Sequence, residues 1–314
     1  MTYAFDPELA PIVGLLPLSD LSDVAASRDG LAAMIGPLNA GVDSTGIDIS
    51  DHTVSGTHGA VAVRVYAPSG PAPASGRPAL VDIHGGGFVV GDIDMEHAFA
   101  TQIARELGAV VVTPEYRLAP EHPFPAGLED CYAALVWLHE QASEFGIDPA
   151  RVAVGGQSAG GGLAAATALL ARDRGGPDLC FQFLGIPELD HRLETVSMRT
   201  FVDTPLWNRP NAVLSWQYYL GDTAGDVSPY ASPAIATDLA GLPPAYVTTM
   251  EFDPLRDEGI TYALRLLEAG VSVELHSYPG TFHGSAMVPT AAVSRRSTAE
   301  LIEVLRRGLG VERT

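Results

Sequence analysis

The run Gly156-Gln157-Ser158-Ala159-Gly160 restricts the fold of this chain more than any other stretch. It follows the apolar Val152-Ala153-Val154 and precedes a stretch of helical character, Leu163 to Leu170. A strand that reverses sharply into a helix forces its turn residue to positive φ, which is strained for anything but glycine. So tight a turn also needs small residues two before and two after the serine, as Gly156 and Gly160 are. Gly161 and Gly162 let the helix start close to the sheet. The serine hydroxyl is then expected to stand clear at a strand tip, beside helix N–H groups. A plain glycine-rich turn could share this pattern, because glycine and serine are common turn residues, so other motifs must decide.

The first of these is His84-Gly85-Gly86-Gly87, after the apolar strand Ala79 to Ile83. Three consecutive glycines permit a backbone that no other residue could follow, and such a loop can aim bare N–H groups at a developing oxyanion. Further on come Tyr116-Arg117-Leu118-Ala119-Pro120-Glu121-His122, Asp253-Pro254-Leu255-Arg256-Asp257-Glu258-Gly259 and Phe282-His283-Gly284. With the serine run, these five pieces resemble the hormone-sensitive-lipase-like branch of the α/β-hydrolases, which includes bacterial carboxylesterases and arylacetamide deacetylases. They stand in that family's order and cover the chain from about residue 60 onward. The resemblance implies a mostly parallel central sheet flanked by helices, with a helical cap, and a serine esterase activity that uses no cofactor or metal.

The bulk properties agree with an enzyme of small molecules. At 314 residues one large domain with insertions is expected, and 46% hydrophobic residues suffice for its core. A net charge of −20 opposes binding to nucleic acid or to an anionic membrane. Cys131 and Cys180 form neither a disulfide framework nor a zinc site, and both are expected to be free and buried. The N-terminal stretch, with its apolar patch Ile12 to Leu18, lacks a signal-peptide layout, and no apolar run is long enough to span a bilayer. A cytoplasmic enzyme with a small-molecule ester as partner is expected; a homodimer is left open.

Along the chain, strand pattern is expected at Ala60–Tyr66, Ala79–Ile83, Ala109–Thr113, Val152–Val154, Phe181–Ile186, Ala245–Met250 and Val271–Tyr278. Helical spacing occupies Glu96–Leu107, Gly127–Phe145, Leu163–Ala171 and Leu255–Ala269, with a last helix from near Ser297. This alternation with near-continuous apolar strands predicts a parallel sheet covered on both faces. Residues 1–50 read as helices and loops, an N-terminal cap segment by the resemblance. Residues 51–189 are the first part of the core, 190–239 a cap insertion, and 240–314 the second part of the core. The insertion carries Trp207, Trp216, Tyr218 and Tyr219. It either covers the site or packs an aromatic helix into the core.

A serine hydroxyl needs a base, and the base must be oriented. Of nine histidines (His52, His58, His84, His97, His122, His139, His191, His276 and His283), only His283 lies in a Gly-flanked loop after the last strand. His84 is read as shaping the glycine loop, and His276 lies inside a strand. Asp253 follows the preceding strand and is the carboxylate that the resemblance implies. Asp before Pro is equally a good helix cap, and the two roles are compatible. Carried over by position, the oxyanion donors are the N–H groups of Gly86, Gly87 and Ala159. Gln157, Ser285 and Trp207 are read as pocket residues. Gln157 stands where many relatives carry Asp, and Ser285 where an aromatic is frequent, so spare room is expected beside His283. The alternatives are an amidase or deacetylase with the same triad, and a silent ligand receptor, which the presence of His283 disfavours.

Overall fold

A computed structural model of the protein describes residues 3–16, 20–57, 59–222 and 225–312. Strands β1 (Ile47–Gly56), β2 (Gly59–Pro68), β3 (Arg77–Ile83), β4 (Val110–Glu115), β5 (Ile147–Gln157), β6 (Phe181–Gly185), β7 (Ala245–Phe252) and β8 (Val273–Phe282) form one sheet. Its order is β1-β2-β4-β3-β5-β6-β7-β8. β2 runs antiparallel to both β1 and β4, and every other neighbouring pair is parallel. The helices are α1 (Val24–Asn39), α2 (His97–Leu107), α3 (Ala126–Glu140), α4 (Ala142–Phe145), α5 (Ala159–Arg174), α6 (Val196–Thr200), α7 (Arg209–Leu220), α8 (Arg256–Glu268) and α9 (Ala292–Gly308).

The period-two geometry of a strand divides the core. Leu80 of β3 and Val111 of β4 face one side, with Ile103 and Leu107 of α2 and Leu301 and Leu305 of α9. Ala79, Val81, Val110 and Val112 face the other, against Leu135 of α3, Leu169 of α5 and Leu266 of α8. β3 and β6 are buried along their whole length, hence their largely apolar reading, with only Arg77, Asp82 and Gln182 as polar side chains. Each such Leu or Val is worth about 1.5–3 kcal/mol relative to an exposed one.

Three elements depart from the sequence reading. β1 begins within the stretch read as helix and loop, because only Ile47 and Val54 of it are buried and it pairs with β2 alone, at the sheet edge. The helix read over 127–145 breaks at Gln141 into α3 and α4. α9 starts at Ala292, ahead of Ser297, through a polar first turn whose Ser294 hydroxyl donates to the Ser285 carbonyl at 2.8 Å. The apolar patch at 12–18 runs beyond the described residues, which include a 3-10 turn at Val13–Leu15, and His58 lies outside them.

The aromatic insertion divides between two clusters. Tyr219 stacks on Phe88 at 4.0 Å and joins Trp216 in the main core. Met198, Trp207 and Ala212 instead meet Leu21, Val24 and Leu31 of the N-terminal segment above Val89 and Val90. Among the described residues no helix is long and apolar enough to cross a membrane.

Candidate active site

Register brings four strand ends together in two pairs. Phe252 of β7 pairs with Phe282 of β8, so the next residues, Asp253 and His283, leave the sheet side by side. Ile83 of β3 pairs with Gly156 of β5, which sets the glycine loop beside Ser158.

Ser158 has φ +58°, and α5 begins at the next residue. A Cβ at Gly156 would lie 2.4 Å from the Ile83 carbonyl oxygen, and one at Gly160 only 2.0 Å from it. The spacing in the sequence therefore records a steric demand of β3 as much as of the turn. The Ser158 N–H donates to the Gly185 carbonyl at 2.8 Å, and its own carbonyl accepts from Gly162 and Glu188, both at 3.0 Å.

Nε2 of His283 lies 2.9 Å from Ser158 Oγ, and Nδ1 lies 2.7 Å from Asp253 Oδ2. A carboxylate can only accept, so Nδ1 carries the proton and Nε2 is left to take one from the serine. The other oxygen of Asp253 accepts the Leu255 N–H at 2.9 Å. Asp253 thus braces the turn into α8 and faces the imidazole at once. It is 0% exposed, whereas Ser158 and His283 each keep 7%, a narrow opening to solvent.

The glycine loop follows β3. Gly86 has φ +108°, and a Cβ there would lie 1.9 Å from the Val90 carbonyl oxygen. The N–H groups of Gly86 and Gly87 have no acceptor among the described residues. His84 is buried, stacks on Tyr116 at 4.1 Å, and donates from Nδ1 to the Gly85 carbonyl at 2.8 Å. Desolvation holds its pKa down to about 4, so it is neutral near pH 7 and shapes the loop. The Tyr116 hydroxyl donates to the His84 carbonyl at 3.1 Å and lies 3.3 Å from that of Gly85.

The three pocket residues separate. Trp207 lies against Gly87, and its ring is tilted 34° to that of His283 at 5.8 Å. Gln157 is half-buried, with its Cγ against Gly185. Ser285 does not open onto free space: it is 1% exposed and its hydroxyl points at Met250 Sδ, 3.9 Å away. Gly284 turns the chain at φ +75°, and Ser285 opens a 3-10 turn with its side chain buried. Cys131 and Cys180 are free, one buried and one half-buried. Among the described residues no three His, Cys, Asp or Glu side chains converge as a metal site would require.

Several groups around the site gave no signal in the sequence. Arg28 of α1 donates to the carbonyls of Val89 at 2.9 Å and Ala119 at 3.1 Å, and pairs with Glu121 at 2.8 Å. Glu188 after β6, Ser215 of α7 and Glu258 of α8 are buried. Burial raises the Glu258 carboxyl well above the ordinary range, although it accepts from Leu189 and Asp190.

Sheet order, strained serine and strand-end loops define an α/β-hydrolase. The chain belongs to that family: its model, described as an alpha/beta hydrolase fold, matches residues 80–287. A carboxylic ester hydrolase, LipN of Mycobacterium tuberculosis, is 40% identical over 95% of this chain and 80% of its own length. The carboxylesterase NlhH of Mycobacterium tuberculosis is 43% identical over 79% of each chain. A solved structure of a bacterial heroin esterase shares 56% identity, covers 98% of each chain and superposes with a TM-score of 0.95.

Proposed function

We propose that the protein is a serine carboxylesterase acting on small to medium carboxylic esters, with Ser158 as nucleophile, His283 as base and acid, and Asp253 as the group that orients the imidazole. It is a carboxylic ester hydrolase by its family and relatives. The observation that carries the assignment of residues is the unbroken hydrogen-bond chain from Ser158 Oγ through His283 to Asp253.

Ser158 Oγ attacks the ester carbonyl carbon while its proton passes to His283 Nε2. The carbonyl oxygen becomes an oxyanion facing the N–H groups of Gly86, Gly87 and Ala159. As the C–O bond breaks, His283 returns the proton to the departing alcohol. Water then adds to the acyl-serine, giving its proton to His283, and the acid leaves as Ser158 is reprotonated.

In the same proposal, residues 1–50 and 190–239 cap the site, supported by the packing of α1 and the Trp207 region over the loop after Gly87. Strand β1 enters the sheet within the first of these segments. The cytoplasmic location, and the acidic surface that turns away nucleic acid and anionic membranes, also remain parts of the proposal.

The test is a panel of nitrophenyl esters of rising acyl length, with heroin and one anilide, on wild type and Ser158→Ala. Ester turnover that falls with acyl length and vanishes in the variant supports the reading. An anilide cleaved faster than its ester would favour the amidase alternative, and absence of all turnover would favour a receptor.

A further inference from the structure

The glycine loop is pinned by its carbonyls. That of Gly86 accepts from Val89 and Val90, both at 3.0 Å, and that of Phe88 accepts from Ala119 at 2.9 Å. The carbonyl between them, on Gly87, has no backbone donor among the described residues. Its partner is the buried hydroxyl of Ser215 on α7, at 2.9 Å. The same Oγ lies 2.9 Å from Oε1 of Glu188, which follows β6 and is 0% exposed.

A proton count leaves two directions for this chain. A serine hydroxyl has one hydrogen, and a peptide carbonyl only accepts. When Ser215 gives its hydrogen to Gly87, the contact with Glu188 can only be donated by Glu188, whose carboxyl must then be protonated. An ionised Glu188 would instead draw the Ser215 hydrogen to itself, being the stronger acceptor, and Gly87 would lose its partner. We propose that Glu188 works as a neutral carboxylic acid, a positioning residue that donates to Ser215 and thereby holds the Gly87 carbonyl and the oxyanion N–H groups in place. This inference rests on reading Gly86 and Gly87 as the oxyanion loop.

Two further observations agree. The Glu188 Oε2 has no hydrogen-bond partner among the described residues, an arrangement far costlier for a carboxylate than for an acid. The peptide it helps to hold joins two residues at positive φ, Gly87 at +56° and Phe88 at +62°, and such backbone lasts only where its surroundings over-determine it. The groups facing Glu188 are Asp253 after β7, Glu258 on α8 and Tyr219 on α7. Desolvation, reinforced by the charge of Asp253, pushes the Glu188 carboxyl up to about 8. Below that pH the acid is neutral and the loop is held; above it the hold is lost. Because Glu258 is raised by burial as well, a pH profile alone cannot name the group, and a variant must.

The experiment is steady-state hydrolysis of nitrophenyl acetate from about pH 6 to 10 by wild type, Glu188→Gln and Glu188→Ala. Wild-type kcat should fall about tenfold or more above pH ~8 with little change in KM, since the loop acts on the transition state. Glu188→Ala should lose about 10- to 100-fold in kcat at every pH. In Glu188→Gln the amide donates to Ser215 at all pH, so neutral-pH turnover should be rescued and the alkaline fall should disappear. A flat wild-type profile, a Gln variant that keeps the fall, or an Ala variant equal to wild type at neutral pH overturns the inference. If the Ala variant does not fold, the infrared difference between wild type and Glu188→Gln decides: a lost protonated-carboxyl band supports it, a lost carboxylate band overturns it. Gly86→Val separates the two levels. Unchanged kinetics there would sink the oxyanion reading itself, whereas a loss of about 10²–10³ with a Gln variant that keeps the alkaline fall sinks only the role of Glu188.

Discussion

Asp253 carries two duties on two oxygens, Oδ1 to the Leu255 N–H and Oδ2 to His283. Asn in its place can still accept from Leu255 but has no charge to hold the imidazole tautomer. Asp253→Asn should therefore unfold within about 1 kcal/mol of wild type and yet lose about 10⁴-fold in kcat. Ser158→Ala and His283→Ala should lose at least about as much. Organophosphate labelling read by mass spectrometry should vanish in Ser158→Ala, and near-normal turnover in His283→Ala would remove His283 from its role. At Ser285 the buried environment reverses what the sequence suggested. Ser285→Phe should overpack the contact with Met250 and lower stability by about 1–3 kcal/mol, seen as a lower Tm. An unchanged Tm together with a new preference for small esters would restore a pocket at that position.

Among elements, Arg28 ties α1 to carbonyls beside the glycine loop. Its ion pair with Glu121 is largely exposed and worth little by itself, although it holds that carboxyl down to about 2. The bonds to the Val89 and Ala119 carbonyls are shielded and matter more. Arg28→Ala should loosen α1 first, because a helix attached by few contacts opens before the sheet does. Limited proteolysis should then cut between α1 and β1 faster than in wild type while Ser158 still reacts with organophosphate. Equal cleavage rates would show that the apolar contacts of Leu21, Val24 and Leu31 hold the helix without Arg28. Loss of labelling at Ser158 would mean instead that α1 supports the site directly.

Over the whole molecule, several buried carboxyls keep protons that the unfolded chain releases. Asp82 of β3 and Glu96, just before α2, are buried together, and desolvation raises both carboxyls, Glu96 up to about 7. A carboxyl whose folded pKa is raised binds more protons folded than unfolded, so its contribution is full below the unfolded pKa and falls as pH rises to the folded one. Each retained proton makes stability fall by about 1.4 kcal/mol per pH unit across its window. For Glu96 the window runs from about 4.5 to 7. Denaturant midpoints measured through that range should decline less steeply in Glu96→Gln than in wild type. Parallel declines would mean that the pair does not retain the extra proton.

The sequence by itself determined the sheet, the serine turn and the chain order of the site, because each is written in local terms. β3 and β6 are largely apolar runs buried on both faces, Gly156 and Gly160 are demanded by a turn that leaves no room for a Cβ there, and His283 follows directly on the last strand. β1 stayed hidden because an exposed edge strand needs only two buried side chains. Tertiary structure alone decided that Ser285 points inward, that Arg28 crosses to two loop carbonyls, and that Glu188 meets Ser215 beneath Gly87. Those are contacts between segments far apart in the chain. Burial, which turns a carboxylate into a neutral donor, comes from the packing of α7 against the strand ends, and a sequence records no such distance.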